Sequence, residues 1–161
     1  MAELRLGVLT CSDSRSQGIA DDTAGRSVIE QAEARGWYVV AYHVCPDDRE
    51  CIAASLMEMS DIEEADVVVT CGGTGLGPRD VTPEATIDVA ERTVPGISEF
   101  IRSQWTRDTD RAVLTRGVAV QRGHTLIVNL PGSEEATRES FLIVADQLER
   151  ATQMIAGKAG T

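Results

Sequence analysis

Three apolar, β-branched runs, each followed by a polar turn and an amphipathic stretch, leave this chain few possible folds. Leu4 to Cys11, Trp37 to Cys45 and Ala65 to Cys71 read as strands. Their near-continuous apolar character asks for cover on both faces, which is the property of a parallel sheet. Asp22 or Thr23 opens a helix to about Arg35, with Val28, Ile29 and Ala32 on one face and Gly36 as its stop. After Pro46, Asp47 and Glu50 stand at capping-box spacing ahead of a stripe of Ile52, Leu56, Met59 and Ile62. The order β-α-β-α-β with right-handed crossovers predicts an α/β fold. Its three layers are a mostly parallel, doubly wound sheet with helices on both faces, in a single domain over residues 1–161. Further along, helices are expected at about 83–91 and 97–106, and strands at 116–121 and 125–130 around Arg122-Gly123. A final helix capped by Ser133 carries Phe141, Val144, Leu148, Ala151 and Ile155 to about Ala156, and the tail to Thr161 reads as frayed.

Open sheets of this kind bind ligands at the carboxyl ends of their strands, where strand order reverses. The loops selected are Thr10–Gly18, Pro46–Asp48, Gly72–Thr82 and Asn129–Ser133. The richest is Gly-Gly-Thr-Gly-Leu-Gly-Pro-Arg-Asp-Val-Thr-Pro-Glu-Ala-Thr, residues 72–86. Gly72, Gly73 and Gly75 let the backbone turn through φ > 0 and bring N–H groups to an anion. Arg79 adds a fork of donors, Asp80 a carboxylate for a metal or a proton, and Thr74 and Thr82 hydroxyls. Helix capping by Thr82 with Pro83 at the first helical position explains those two residues and leaves the others unexplained. The loop lacks the Gly-Lys-Ser/Thr ending of a P-loop, and no Gly-x-Gly-x-x-Gly follows the first strand.

In the other loops each candidate has two readings. Ser12 and Asp13 either start a turn or hydrogen-bond a ribose or pterin edge. Asp47 is either a helix cap answered by Glu50 or a chemical carboxylate. Ser133 either caps the last helix or offers its amides to an anion, and the following Glu134 and Glu135 oppose the second role. Cys11, Cys45 and Cys71 fall at strand ends without zinc spacing and read as small buried hydrophobes. His43, His124 and the few aromatics read as structural.

Charge narrows the partners. With 26 acidic against 15 basic residues, a net −11, the molecule repels nucleic acid and anionic membranes, while convergent amides, an arginine and a cation can still attract a small anion. No apolar run approaches a membrane span and no secretory signal is visible at the start, so a cytoplasmic location is expected.

In combination, Thr10-Cys11-Ser12-Asp13, Asp22-Thr23-Ala24-Gly25, Pro46-Asp47, the 72–86 motif, Pro95-Gly96, Thr115-Arg116-Gly117-Val118 and Asn129-Leu130-Pro131-Gly132-Ser133 resemble the molybdopterin adenylyltransferase family of molybdenum cofactor biosynthesis. The family includes the related G and E domains of eukaryotic two-domain proteins. The resemblance spans nearly the whole chain. It implies a cytosolic homotrimer, in transient contact with other molybdenum cofactor enzymes, that takes molybdopterin and ATP with Mg²⁺. AMP is transferred to the terminal phosphate of the pterin and pyrophosphate is released. Asp47 and Asp80 would be the catalytic and magnesium-binding carboxylates. Gly72, Gly73, Thr74 and Gly75 would hold the pterin phosphate, with Arg79 and Thr82 beside them. Ser12, Asp13, Pro131, Gly132 and Ser133 would line the remainder. Thr115 stands where a serine is common, and Glu134-Glu135 replaces a Pro-Lys pair. The alternative is a non-catalytic molybdopterin-binding or carrier protein of the same fold. Molybdenum insertion, by a related domain of longer chains, is disfavoured by this chain's length.

Overall fold

The structure, a computed structural model, describes residues 3–158. The elements are β1 (Arg5–Cys11), α1 (Asp13–Ser16), α2 (Thr23–Ala34), β2 (Tyr38–Cys45), α3 (Arg49–Met57), β3 (Val67–Cys71), α4 (Thr82–Asp88), β4 (Arg92–Thr93), α5 (Pro95–Trp105), β5 (Ala119–Arg122), β6 (Thr125–Leu130) and α6 (Glu134–Ile155). Of the tail expected to fray after Ala156, Gly157 and Lys158 still bond back to the last helical turn, and residues 159–161 lie outside the described residues. One six-stranded sheet runs β2-β1-β3-β6-β5-β4. Its first four strands are parallel, β5 returns antiparallel to β6, and β4 is antiparallel to β5. The expected three-layer α/β architecture is therefore present.

Two apolar layers sandwich the sheet, as its strand composition demands. One joins Leu6, Val8, Val69 and Val128 to Val28 of α2, Ile101 of α5, and Phe141 and Val144 of α6. The other joins Leu9, Val68 and Ile127 to Ile52 and Leu56 of α3 and Ala85 of α4. Trp37 seals the first layer edge-on to Phe141, with ring centroids 5.3 Å apart. The three strand-end cysteines are buried and free, and burial pushes the Cys71 thiol up to about 12, in keeping with a packing role. Both histidines lie exposed on the surface.

Several boundaries depart from expectation. The α3 helix passes into a π-helical turn at Glu58–Ile62, whose greater number of residues per turn keeps Met59 buried but swings Ile62 out to 73% exposure. The predicted strand at residue 116 begins only at Ala119, because the Arg116 amide is bonded to Thr74 O instead. The helix expected to reach residue 91 ends at Asp88, and after a short turn Arg92–Thr93 form the edge strand β4. Four polar residues after β1 wind into α1, capped by Ser12.

The level ending of the parallel strands positions the site. In register, Cys11 lies opposite Cys45, Thr10 opposite Cys71, and Cys71 opposite Leu130, so four loops leave the sheet side by side. Just beneath them Asn129 is buried in a polar knot. Its Nδ2 donates to Thr70 Oγ1 (2.9 Å) and Thr86 Oγ1 (3.0 Å), and its Oδ1 accepts from Val118 N (3.1 Å). Asn129→Ala would strand these partners at a cost of about 3 kcal/mol. A fall in Tm of roughly 5–10 °C is expected in a thermal melt.

Candidate active site

β1 leads to β2 on one side and has β3 on the other, so the crevice between the ends of β1 and β3 is where strand order reverses. Here bare backbone makes the contact. Gly72 lies at φ +100°, donates to Leu130 O at 3.1 Å, and leaves no room for a side chain, since a Cβ would stand 2.5 Å from Cys11 O. A Cβ on Gly132 would in turn meet Gly72 Cα at 3.2 Å. The first, third and last of the expected loops are thereby drawn together.

The second loop enters through Asp47. Sequence spacing suggested Asp47 as the cap of α3, but the cap is Asp48, whose extended backbone lets its carboxylate accept from Cys51 N at 2.9 Å. Asp47 turns instead toward Asp13. The two exchange backbone bonds, Asp13 N to Asp47 Oδ2 (3.1 Å) and Asp47 N to Asp13 Oδ1 (2.9 Å). Asp13 is also gripped by both arms of Arg79, at 3.0 Å each. This fork holds the Asp13 carboxyl below its ordinary range. Arg79, expected to offer its fork to a phosphate, thus meets a carboxylate of its own chain.

Asp47 Oδ1 is buried with no hydrogen-bond partner among the described residues. Burial is the main reason its carboxyl titrates above the ordinary range, with the charges of Asp13 and Asp80 adding to it. Beside it, Thr82 Oγ1 is buried and unbonded too, with the Cys11 thiol as a weak polar neighbour. Thr82 was expected as the cap of α4. It is instead the first helical residue, and Val81 holds the cap position with no side-chain bond, which frees the hydroxyl. Both orphan oxygens flank Gly73 at φ +70°, where a Cβ would stand 2.2 Å from Thr82 Oγ1 and 3.2 Å from Asp47 Oδ1. The glycine keeps this polar hollow open.

Among the described residues the amides of Gly73, Thr74 and Gly75 donate to no protein acceptor, whereas Gly77 N bonds Asp80 Oδ2 at 2.9 Å. Asp80 therefore folds back into its own loop. The hydroxyl of buried Thr74 lies 3.3 Å from Thr115 Oγ1. At the last loop, Ser133 Oγ accepts from Ala136 N (3.3 Å), Arg15 donates to Gly132 O (3.0 Å), and the Thr137 hydroxyl donates to Pro131 O. Ser133 is thus a cap, and exposed Glu134 and Glu135 complement the helix dipole after it.

Two residues without an assigned role in the sequence reading support the loops. Arg15 ties α1 to the Pro131–Ser133 turn, and Arg116 binds the back of the Gly-rich loop through Gly75 O (2.8 Å) and Asp80 O (3.0 Å). Arg116 lies in a quoted motif, but nothing in its spacing says which way its side chain points.

For a cation, the donors present are hard oxygens, as Mg²⁺ prefers. The unpaired Asp47 Oδ1, next to the Thr82 hydroxyl and near Asp80, fits such an ion. No group of three or more metal-binding side chains converges among the described residues. That suits an ion held by one or two carboxylates and the phosphates it accompanies.

Residues 7–150 match the family described as a probable molybdopterin binding domain. A molybdopterin adenylyltransferase of Helicobacter pylori strain J99 is 35% identical over 98% of this chain and 90% of its own length. One from Escherichia coli K12 is 35% identical over 91% and 76%. Against the molybdenum cofactor synthesis protein cinnamon of Drosophila melanogaster the identity is 39% over 96% of this chain, which spans 26% of that longer protein. The crystal structure of the molybdopterin biosynthesis enzyme MoaB from Thermus thermophilus superposes with a TM-score of 0.91 at 42% identity, covering 98% of this chain and 99% of that one. With its sheet order, its Gly-rich loop and these likenesses together, the chain belongs to the molybdopterin-binding family of molybdenum cofactor biosynthesis.

Proposed function

We propose that this protein is a molybdopterin adenylyltransferase, acting as a single domain over residues 1–161. An oxygen of the terminal phosphate of molybdopterin attacks the α-phosphorus of ATP, the α–β phosphoanhydride bond breaks, and pyrophosphate leaves. The observation that carries this reading is Asp47 Oδ1, an uncompensated buried carboxylate oxygen beside a glycine-lined hollow. A mere carrier has no use for a charge that opposes its ligand. A site that must align two phosphates around a cation does.

In this reading the amides of Gly73, Thr74 and Gly75 cradle the pterin phosphate, Thr82 supplies a hydroxyl, and Gly72 permits the close approach. Asp47 and Asp80 hold Mg²⁺, which when bound offsets phosphate charge and polarises the attacked phosphorus. Arg79 exchanges Asp13 for a phosphate oxygen. Ser12, Asp13 and the Pro131-Gly132-Ser133 turn form the walls. The family resemblance supports a cytoplasmic homotrimer in transient contact with other enzymes of the pathway, and no helix among the described residues is long and apolar enough to cross a membrane.

Asp47→Asn and Asp80→Asn should each lower pyrophosphate release from molybdopterin and Mg-ATP by about 100-fold or more in a coupled assay. Parental rates in both variants would remove the catalytic reading. The same Asp47→Asn change should raise stability. Because burial lifts the native carboxyl of Asp47 above its unfolded value of 3.8, its contribution favours the fold below that value and is lost as pH rises through the lifted one. The variant should melt above the parent at pH 7, with the gap closing as pH falls toward about 4. Finally, Asp13, Asp47 and Asp80 outnumber Arg79 at the crevice, so ATP without a divalent cation should bind at least about tenfold more weakly by calorimetry.

A further inference from the structure

We propose that Arg116 is a positioning residue: it collects the carbonyls of the Gly-rich loop from behind, so that the face turned to the substrate carries amide donors alone. The inference deepens the adenylyltransferase reading and rests on its claim that this loop holds a phosphate. Arg116 N donates to Thr74 O (2.8 Å), its Nε to Gly75 O (2.8 Å) and its Nη2 to Asp80 O (3.0 Å). The next carbonyl back, Gly73 O, accepts from Thr82 N at 3.2 Å. The corresponding amides of Gly73, Thr74 and Gly75 have no acceptor among the described residues.

A peptide loop ordinarily presents both polarities, and a carbonyl facing a phosphate repels it. An anion nest works only when its oxygens are turned away and satisfied. Arg116, through its side chain and its own amide, turns three of these carbonyls away, and the Thr82 amide takes the fourth.

The guanidinium is itself held in place. Glu84, in the first turn of α4, receives Nη1 on Oε2 (2.6 Å) and Nη2 on Oε1 (3.3 Å), and the pairing keeps the Glu84 carboxyl below its usual range. With its fork committed to Glu84, Gly75 and Asp80, Arg116 has no geometry left for a ligand, so it acts through the loop. Lysine cannot replace it, because a single ammonium on a flexible stem cannot meet two carbonyls and a bidentate carboxylate in one plane. Both partners are about one-third exposed, at 34% and 38%, so the ion pair in itself adds little to stability.

The test compares Arg116→Ala and Asp80→Asn with the parent in turnover, hydrogen exchange and chemical rescue. Arg116→Ala should lose about 100-fold in kcat, with the hydrogen-bonded loop amides of Gly77 and Asp80 exchanging at least about tenfold faster while β3 and β6 keep their protection. Non-denaturing millimolar guanidinium should restore turnover at least about tenfold in Arg116→Ala and leave Asp80→Asn unchanged. Parental kcat in Arg116→Ala, unaltered exchange of these two amides, or inactivity without rescue would overturn the positioning role. If Arg116→Ala does not fold, Arg116→Lys is read by the loss of kcat and the faster exchange of the same amides, and parental values in both overturn the proposal. Should Asp80→Asn keep parental turnover, the catalytic reading of the loop itself fails. An inactive Asp80→Asn beside a fully active Arg116→Ala removes only the role of Arg116.

Discussion

Everything at the carboxyl end of the sheet depends on a contact between backbones. Gly72 fits under the Cys11 carbonyl and against Gly132 with no space for a methyl group. Any larger residue at that point would part β1 from the β6 turn and separate the loops that carry Asp13, Asp47 and the glycines. A parallel sheet explains why such a seam exists, since its strands end together and their loops rise from one edge. The Asn129 knot just below holds the strand ends by side-chain bonds that the apolar layers cannot supply.

Above the seam, the arrangement of charge is economical. Asp13 uses its two oxygens on Arg79 and on the Asp47 amide, and its own amide on Asp47 Oδ2, which leaves one carboxylate oxygen of Asp47 without a partner among the described residues. Such an oxygen survives in a folded chain only where the rest of the structure holds it, because burial opposes its charge. Asp13 thus holds both Asp47 and Arg79 in place at the rim of the crevice.

The sheet was legible because fully buried parallel strands leave an unmistakable trace: Val67-Val68-Val69 could hardly be anything else. The Gly-rich loop was legible too: Gly72 and Gly73 turn through φ > 0 as expected, whereas Gly75 does not and instead leaves room for Asp80, whose Oδ2 would lie 2.9 Å from a Cβ there. Local capping was read less well. Asp47 and Asp48 are both competent caps, and the choice between them was made by a tertiary partner, Asp13, that lies far away in sequence. Thr82 has the composition of a cap but falls one residue too late, inside the helix. Arg116 escaped for a related reason. The direction of a long side chain is decided by acceptors on another loop, and a motif records only that the residue is there.

The pairing of Arg79 with Asp13 also bears on what the protein ignores. An exposed arginine next to free amides would collect any phosphate or sulfate in its surroundings. Here the guanidinium is already neutralised by a fork of matching shape, so a lone small anion must first displace a carboxylate that is tethered and close at hand. A ligand bearing several phosphates and a cation can offset that displacement with contacts elsewhere in the crevice. In the proposed reading, the resting ion pair is what the larger ligand would exchange on engaging the same arginine.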